Sequence, residues 1–373
     1  MTGSDTFEIF LAAPPGLEQI LAREAEENGF APLAVVPGGV TFQGGWPDVW
    51  RANLQLRGAG RVLARIGDFM AFHLAQLDKR ARKFPWDRFL RPDVPLRVEV
   101  TSRKSRIYHA GAAAQRIENA IRDSLGAPVT PDAALVLKVR IDDNRVQLSI
   151  DTSGEPLHRR GHKEAVGKAP MRETLAAMFL RRCGFDGSEP LVDTMCGSGT
   201  FVIEAAEIAA GLAPGRDRRF AFQDLAGYDA AAFGKMRGAG ATPRPDTAVR
   251  FHGSDRDQGA IRMATANAER AGVAATTRFQ MLPVGQLTPP PGPPGLVMVN
   301  PPYGARIGNK KLLFALYGKL GQVLTDRVRG WRVGLVTSDP GLAKATGLPF
   351  GPEEPPVAFG GLKVRLHRTD ALR

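Results

Sequence analysis

Three short stretches of this 373-residue chain carry residue types whose spacing could do chemistry. The first is LVDTMCGSGTFVIEAA, Leu191 to Ala206, where an apolar run stops at Asp193, glycines follow at Gly197 and Gly199, and a helical pattern opens near Thr200. Glycines let a ligand approach the backbone, a helix N-terminus offers N–H donors, and an acid at a strand end can hold an ammonium group. The second is RFHGSD, ending in Asp255. In a doubly wound sheet the end of this next strand lies beside the first loop, where a carboxylate can take ribose hydroxyls. The Gly-Ser-Gly spacing departs from the G-x-G-x-x-G dinucleotide fingerprint, so the pair of acids and the loop point to a nucleoside-type cofactor other than NAD.

The third stretch is VMVNPPYGAR, Val297 to Arg306, an apolar strand that ends in Asn300-Pro301-Pro302-Tyr303. Two prolines stiffen the loop and hold its carbonyls in place. An exocyclic amine conjugated to a base ring is a poor nucleophile. If the Asn300 side-chain oxygen and the Pro301 carbonyl accept its two hydrogens, the nitrogen lone pair is drawn towards a methyl group, and Tyr303 can stack on the base to fix its plane. Cys196 sits in the cofactor loop, but no second cysteine stands in a Pro-Cys loop, so it reads as a small residue in a tight turn. With only Cys183 and Cys196, the chain has neither a disulfide framework nor a cysteine metal cluster, which fits a reducing cytoplasm. His158 and His162 have no third ligand nearby and read as facing solvent or a polyanion; no metal is expected.

These residues need a scaffold. From Met171 onward, apolar strands at Pro190–Asp193, Val249–Ser254, Thr277–Met281, Leu296–Val299 and Trp331–Thr337 alternate with helices, the signature of a doubly wound, mainly parallel sheet. Gly238–Pro245 and Thr288–Gly295 read as loops. Ahead of this, strands at Phe7–Ala12, Leu33–Val36 and Gly39–Phe42 alternate with helices at Gly16–Asn28 and Trp46–Leu54, a compact α+β unit. A strand at Leu96–Thr101, a helix at Ala113–Leu125 and a hairpin of Ala134–Ile141 with Arg145–Ile150 around Asp143-Asn144 follow. His158–Pro170, polar and basic, reads as a linker. No stretch is apolar enough for a membrane span, and the first residues lack the basic start of a secretory signal.

The net charge of +12 suggests a polyanionic partner. Between Lys79 and Arg122 stand twelve Lys or Arg against four Asp or Glu, so one segment carries +8 of the whole. Clustered charge is what phosphate contacts need. Arg103, Lys104 and Arg106 from this segment are candidate RNA contacts. Arg159 and Arg160 could contact phosphate or only keep the linker solvated, and Lys310 and Lys311 follow the catalytic loop closely enough to meet a substrate.

Taken together, DTMCGSGTF, GSDRD and NPPYGAR resemble a class I S-adenosylmethionine methyltransferase of the amino-methylating kind. The front half, with APPGLEQILAREAEENGF, GGVTF, LRGAGRVLARIGDF, VEVTSRKSRIYHAG and LHRRGHKEAVGKAPMRETLAA, is similar to the THUMP-containing RNA guanine-N2 methyltransferases, above all the bacterial 23S ribosomal RNA group. The similarity spans nearly the whole chain and includes APGRDRRFAFQDL, Ala213 to Leu225. It implies an α/β fold in three parts: a ferredoxin-like N-terminal domain over 1–66, an α/β THUMP RNA-binding domain over 67–156, and a linker with a Rossmann-like methyltransferase domain over 157–373. It implies S-adenosylmethionine as cofactor, with Asp193, Gly197 and Gly199 lining its methionine end, Asp255 its ribose, and Cys196 in the same cofactor loop. Asn300, Pro301, Pro302 and Tyr303 would hold a guanine. The implied partner is RNA, with ribosomal RNA favoured over tRNA.

Two departures stand out. Related enzymes often carry an acid after the third strand of the catalytic sheet for the adenine amine; here FQMLPVGQL puts Pro283 there, leaving backbone groups or Gln286 as alternatives. The chain also ends soon after the methyltransferase domain, without the second methyltransferase fused to some of the ribosomal group. Two other functions compete: an amino-methyltransferase acting on DNA adenine or a protein glutamine, and a non-catalytic RNA-binding protein on a decayed methyltransferase fold. The basic front module argues against the first, and the intact Asn300–Tyr303 and Asp193/Asp255 sets against the second.

Overall fold

The computed structural model describes residues 6–163, 171–239, 250–303 and 310–373. The described chain divides into two compact units, one drawn mostly from the first 157 residues and one mostly from residue 158 onward.

The first unit is built on one seven-stranded sheet in the order β2-β3-β1-β4-β7-β6-β5. Strand β1 (Phe7–Ala12) alternates buried and half-buried residues, as a strand with one face on a core must. It pairs antiparallel with β3 (Gly39–Gly44) and with β4 (Val62–Met70), while β2 (Ala34–Val36) lies at the edge. Helices α1 (Glu18–Glu27) and α2 (Trp46–Gln55) complete a βαββαβ ferredoxin-like order. Strand β4 is shared: its other side pairs with β7 (Arg145–Asp151), with a register shift between Arg65 and Gly67. Beyond it lie β6 (Leu135–Asp142) and β5 (Leu96–Arg103), with helices α3 (Leu74–Arg82) and α4 (Ala110–Leu125). The hairpin expected around Asp143-Asn144 forms, and both residues take the positive φ that such a two-residue turn demands, 49° and 62°. The segment Arg218–Ala239, which ends in α7 (Ala230–Ala239), also belongs to this unit. There Phe222 packs among Trp50, Tyr228 and Phe233.

The second unit is a seven-stranded sheet in the order β10-β9-β8-β11-β12-β14-β13. Its strands are β8 (Leu191–Asp193), β9 (Phe251–Asp255), β10 (Thr277–Met281), β11 (Leu296–Val299), β12 (Arg332–Thr337), β13 (Val357–Phe359) and β14 (Leu362–Arg368). Helices α5 (Glu173–Arg182), α6 (Thr200–Ala209), α8 (Gln258–Arg270), α9 (Lys310–Arg327) and α10 (Pro340–Ala345) connect or flank them. Counted from β8, the order is 3-2-1-4-5-7-6. The first five strands run parallel, as the apolar runs predict, and β14 enters antiparallel beside β12. Continuous apolar strands such as β11, buried at every residue, are what a sheet covered on both faces requires. The chain direction across the sheet reverses between β8 and β11, the switch point at which open α/β sheets bind ligands.

Two expectations change. His158–Pro170 is not a solvated linker along its described part: Arg160 and His162 are buried in the second unit. Gly238 and Ala239 end helix α7 instead of opening a loop, and 240–249 and 164–170 lie outside the described residues.

Candidate active site

The switch point brings two of the three sequence stretches together. Asp193 ends β8, one residue past Val192; Val192 pairs with Val297, and Asn300 lies three residues past Val297 at the end of β11. Both side chains therefore stand at the carboxyl edge of adjacent central strands. Asp255 ends β9 on the other side of β8.

The loop after β8 is tied down by backbone donors. Met195 N–H donates to Asp193 Oδ1 at 3.0 Å, Cys196 N–H to the Ser254 carbonyl at 2.9 Å, and Gly197 N–H to Asp255 Oδ2 at 3.1 Å. Gly199 opens α6 at a φ of 85°, and a Cβ built there would lie 3.1 Å from both Ala264 and the Phe279 ring. A side chain at this position would be strained in its backbone and crowded against β10 and α8. The N-cap residue of α6 is a glycine and brings no side-chain acceptor to its first N–H groups, and the start of the helix favours an anionic group. Cys196 is buried against Gly253, and burial pushes its thiol well above the usual range. A thiol held in that form is a poor nucleophile.

Asp193 is buried, and burial, reinforced by the like charge of Asp255, pushes its carboxyl up to about 8. An acid in that state suits a cationic ligand, whose charge would offset the desolvation. Asp255 is half-buried; its Oδ1 accepts from Asp257 N–H at 3.0 Å.

After β11, Asn300 Oδ1 is buried and has no hydrogen-bond partner among the described residues. Buried acceptors are seldom left unmade, and one at a ligand-binding edge marks where a donor from outside belongs. Pro301 is buried, Pro302 and Tyr303 half-buried, and Tyr303 packs on the core beneath α9. Burial pushes the Tyr303 phenol up to about 12, so it stays neutral. Residues 304–306 of the motif lie outside the described residues.

The predicted polyanion contacts divide. Arg103, Lys104, Arg106 and Arg159 are exposed. Arg103 is held by Asp142 at 2.6 Å, which also takes Arg140, so that the carboxyl falls to about 2. Arg106 lies over the Phe72 ring at 5.7 Å. Arg160 is a correction: it is 2% exposed, and its guanidinium faces Glu204 of α6 at 3.4 Å. Burial of Glu204 inside the α6–α5 packing needs a cation, and Arg160 supplies it. His162 is likewise buried, beside Glu207, and burial lowers its pKa. Lys163 bonds Thr200 Oγ1, the first residue of α6, at 2.8 Å and Glu173 at 3.0 Å. Arg82, Arg91, Arg97 and Arg122 are also in ion pairs, and partners such as Asp78 and Asp123 flank the counted segment and reduce its local charge. Lys310 and Lys311, at the start of α9, are exposed. Among the described residues no group of three His, Cys, Asp or Glu is placed to hold a metal ion, and no helix is long and apolar enough to cross a membrane.

Sheet order, glycine loop and paired acids define a class I methyltransferase fold, and comparison with known proteins narrows this. The chain matches the RlmL ferredoxin-like domain over residues 8–63, the THUMP domain over 72–151 and the RMKL-like methyltransferase domain over 160–366. A relative from Synechocystis sp., provisionally named an RNA methyltransferase, is 33% identical over 366 residues, covering 96% of this chain and 95% of its own. Among solved structures, SMU.472, provisionally named a methyltransferase and complexed with SAH, is 26% identical with a TM-score of 0.88 and 100% of each chain covered. A Listeria monocytogenes protein, named for N6-adenine-specific DNA methylation, is 28% identical with a TM-score of 0.86, covering 97% of this chain and 96% of its own. The chain belongs to the RMKL-like RNA methyltransferases that carry a ferredoxin-like and a THUMP domain, a family with an S-adenosylmethionine-dependent fold.

Proposed function

We propose that the protein transfers a methyl group to the exocyclic N2 amine of a guanosine in RNA, with 23S ribosomal RNA the favoured substrate and tRNA the alternative. The observation that carries the amine reading is the buried Asn300 Oδ1 at the switch point, which has no hydrogen-bond partner among the described residues. An amine has two hydrogens to give, and Asn300 Oδ1 with the Pro301 carbonyl forms an acceptor pair for them. Accepting both leaves the nitrogen lone pair directed at the methyl donor and stabilises the positive charge that grows on nitrogen as the new bond forms. Neither Asn300 nor the neutral Tyr303 can keep a proton, so the one released from nitrogen passes to water. Tyr303 stacks on the base plane.

The cofactor residues fit S-adenosylmethionine. Asp193, buried and short of a cation, would take the methionine ammonium; the Cys196–Gly199 loop and the start of α6 would take its carboxylate; Asp255 would take the ribose hydroxyls. Bound there, the cofactor supplies an electrophilic methyl group. Arg103, Lys104, Arg106 and Arg159 would meet RNA phosphates. The name of the Listeria relative favours a second reading, adenine N6, since an adenine amine would meet the same acceptor pair. Nucleoside mass spectrometry of ribosomal RNA, tRNA and DNA from cells with and without the protein separates them. Loss of N2-methylguanosine from RNA supports the proposal; loss of N6-methyladenine instead replaces it.

A further inference from the structure

The segment Asn300–Tyr303 is poor in donors, because neither proline has an N–H. Its carbonyl groups must therefore be fixed by donors that come from elsewhere. One such donor is present. Tyr317, on α9, is completely buried, with its ring in the core formed by Val299, Leu313, Leu320 and Leu335. Its hydroxyl oxygen lies 3.3 Å from the Pro302 carbonyl and 3.3 Å from Thr337 Oγ1 at the end of β12. Thr337 Oγ1 in turn accepts from Asp339 N–H at 3.3 Å.

The direction of this chain is fixed by proton count. A carbonyl can only accept, so Tyr317 donates its single proton to Pro302. The Thr337 hydroxyl must then donate to Tyr317 while it accepts from the Asp339 backbone. Each bond polarises the next towards Pro302. The consequence is selective: with the Pro302 carbonyl engaged from below, the Pro302–Tyr303 peptide plane is set. That leaves to the base the two acceptors the proposed function assigns to it, Asn300 Oδ1 and the Pro301 carbonyl.

We infer that Tyr317 is a positioning residue, which through Thr337 and the Pro302 carbonyl sets the orientation of the acceptor loop and of Tyr303. The inference rests on the reading that Asn300–Tyr303 holds the base. Packing alone would not call for the hydroxyl, since phenylalanine fills the same space.

The test is Tyr317→Phe in the full chain. Single-turnover transfer from tritiated S-adenosylmethionine is measured on total RNA from cells lacking the protein. S-adenosylhomocysteine affinity is measured by calorimetry, and folding by thermal unfolding. The expected rate loss at saturating RNA is about tenfold, the scale of one neutral hydrogen bond, with KM for RNA and S-adenosylhomocysteine affinity within twofold of wild type. Thr337→Val should slow transfer too, and combining it with Tyr317→Phe should add almost nothing, because both break one chain. A Tyr317→Phe rate within twofold of wild type, a loss shared equally by S-adenosylhomocysteine affinity, or fully additive losses overturns the inference. Asn300→Ala run alongside tells the failures apart. If it is slow while Tyr317→Phe is not, only the positioning role falls; if it too is fast, the reading of the base site falls with it.

Discussion

Gly197 and Asp255, 58 residues apart in sequence, are joined by a hydrogen bond of 3.1 Å from the glycine N–H to the carboxylate. The bond links the loop after β8 to the end of β9, so Asp255 shapes the loop beside the ribose contact proposed for it. Asp255→Ala is therefore expected to weaken cofactor binding by about 1.5–3 kcal/mol, the range for hydrogen bonds to a charged group. Calorimetric titration with S-adenosylmethionine checks it, and unchanged affinity would remove Asp255 from the cofactor site.

If Asp193 holds the cofactor ammonium as proposed, it makes cofactor binding depend on pH. Its folded-state pKa is raised to about 8, first by burial and then by Asp255, so in the free protein it holds its proton below that pH. A cationic ammonium favours the ionised form and lowers the pKa in the complex. Binding should then release a proton, and affinity should fall as pH drops below about 8, by at most about tenfold per unit. Titrations in buffers of different ionisation enthalpy measure the proton release directly. Asp193→Asn should abolish both the release and the slope. The same sign applies to stability: with its pKa raised, the acid contributes stability below its unfolded pKa and loses it as pH rises to about 8. The ligand-free Asp193→Asn protein should thus be no less stable than wild type at pH 8, as chemical unfolding can show.

How much of this was legible depends on whether the partner of each residue was near in sequence. The strand ends at Asp193, at Asp255 and just before Asn300 are legible because buried parallel strands are continuous apolar runs that stop abruptly. Strand β4 is hard to read from sequence: it alternates buried and half-buried residues, but it follows directly on the glycines of RGAGR and carries Arg65 on its half-buried face. Strand β14, LKVRLHR, carries three cations and a histidine, and only its place beside β12 makes it a sheet strand. Arg160 misled because Glu204 is 44 residues away on α6, inside an otherwise apolar run. Tyr317 reads simply as a core aromatic; its hydroxyl has meaning only once α9 is laid across β11 and β12.

The two neighbouring arginines of the former linker should behave oppositely. Arg160→Ala leaves Glu204 buried with less compensation, which is expected to cost about 3 kcal/mol or more of stability, seen as a lower midpoint in urea. Arg159 is exposed, so Arg159→Ala should leave the midpoint almost unchanged and weaken RNA binding instead. If Arg160→Ala is as stable as wild type and binds RNA poorly, the buried pair has been misassigned.

RNA affinity of the full chain should fall steeply with salt, with a log–log slope of several units, because phosphate contacts release counterions. Replacing Lys104 and Arg106 together by Ala should lower the slope by about two, one for each cation removed from a phosphate. Filter binding of total RNA across a salt series measures it. A nearly flat dependence for the wild type would mean that the basic exposed residues of the THUMP region do not carry binding. An unchanged slope in the double variant would move the phosphate-binding cations elsewhere.

The sharpest contrast lies between Asn300 and Cys196. Direct transfer to an amine needs no covalent enzyme–RNA adduct, and Cys196 is buried, with burial holding its thiol in the protonated form. Cys196→Ser should therefore keep most of the activity, limited only by the tight packing against Gly253. On the proposed mechanism, Asn300→Ala removes an acceptor whose partner gains positive charge in the transition state. Its effect should fall on the rate and not on binding, on the order of 10²–10³ by analogy with removal of oxyanion-hole donors. Tyr303→Ala should slow transfer and also weaken RNA binding, since stacking on a base is worth about 1–3 kcal/mol. Single-turnover kinetics on one RNA, with affinities measured in parallel, separate the three. Wild-type turnover in Asn300→Ala together with complete loss in Cys196→Ser would rule out the amine mechanism and require methylation at carbon through a thiolate.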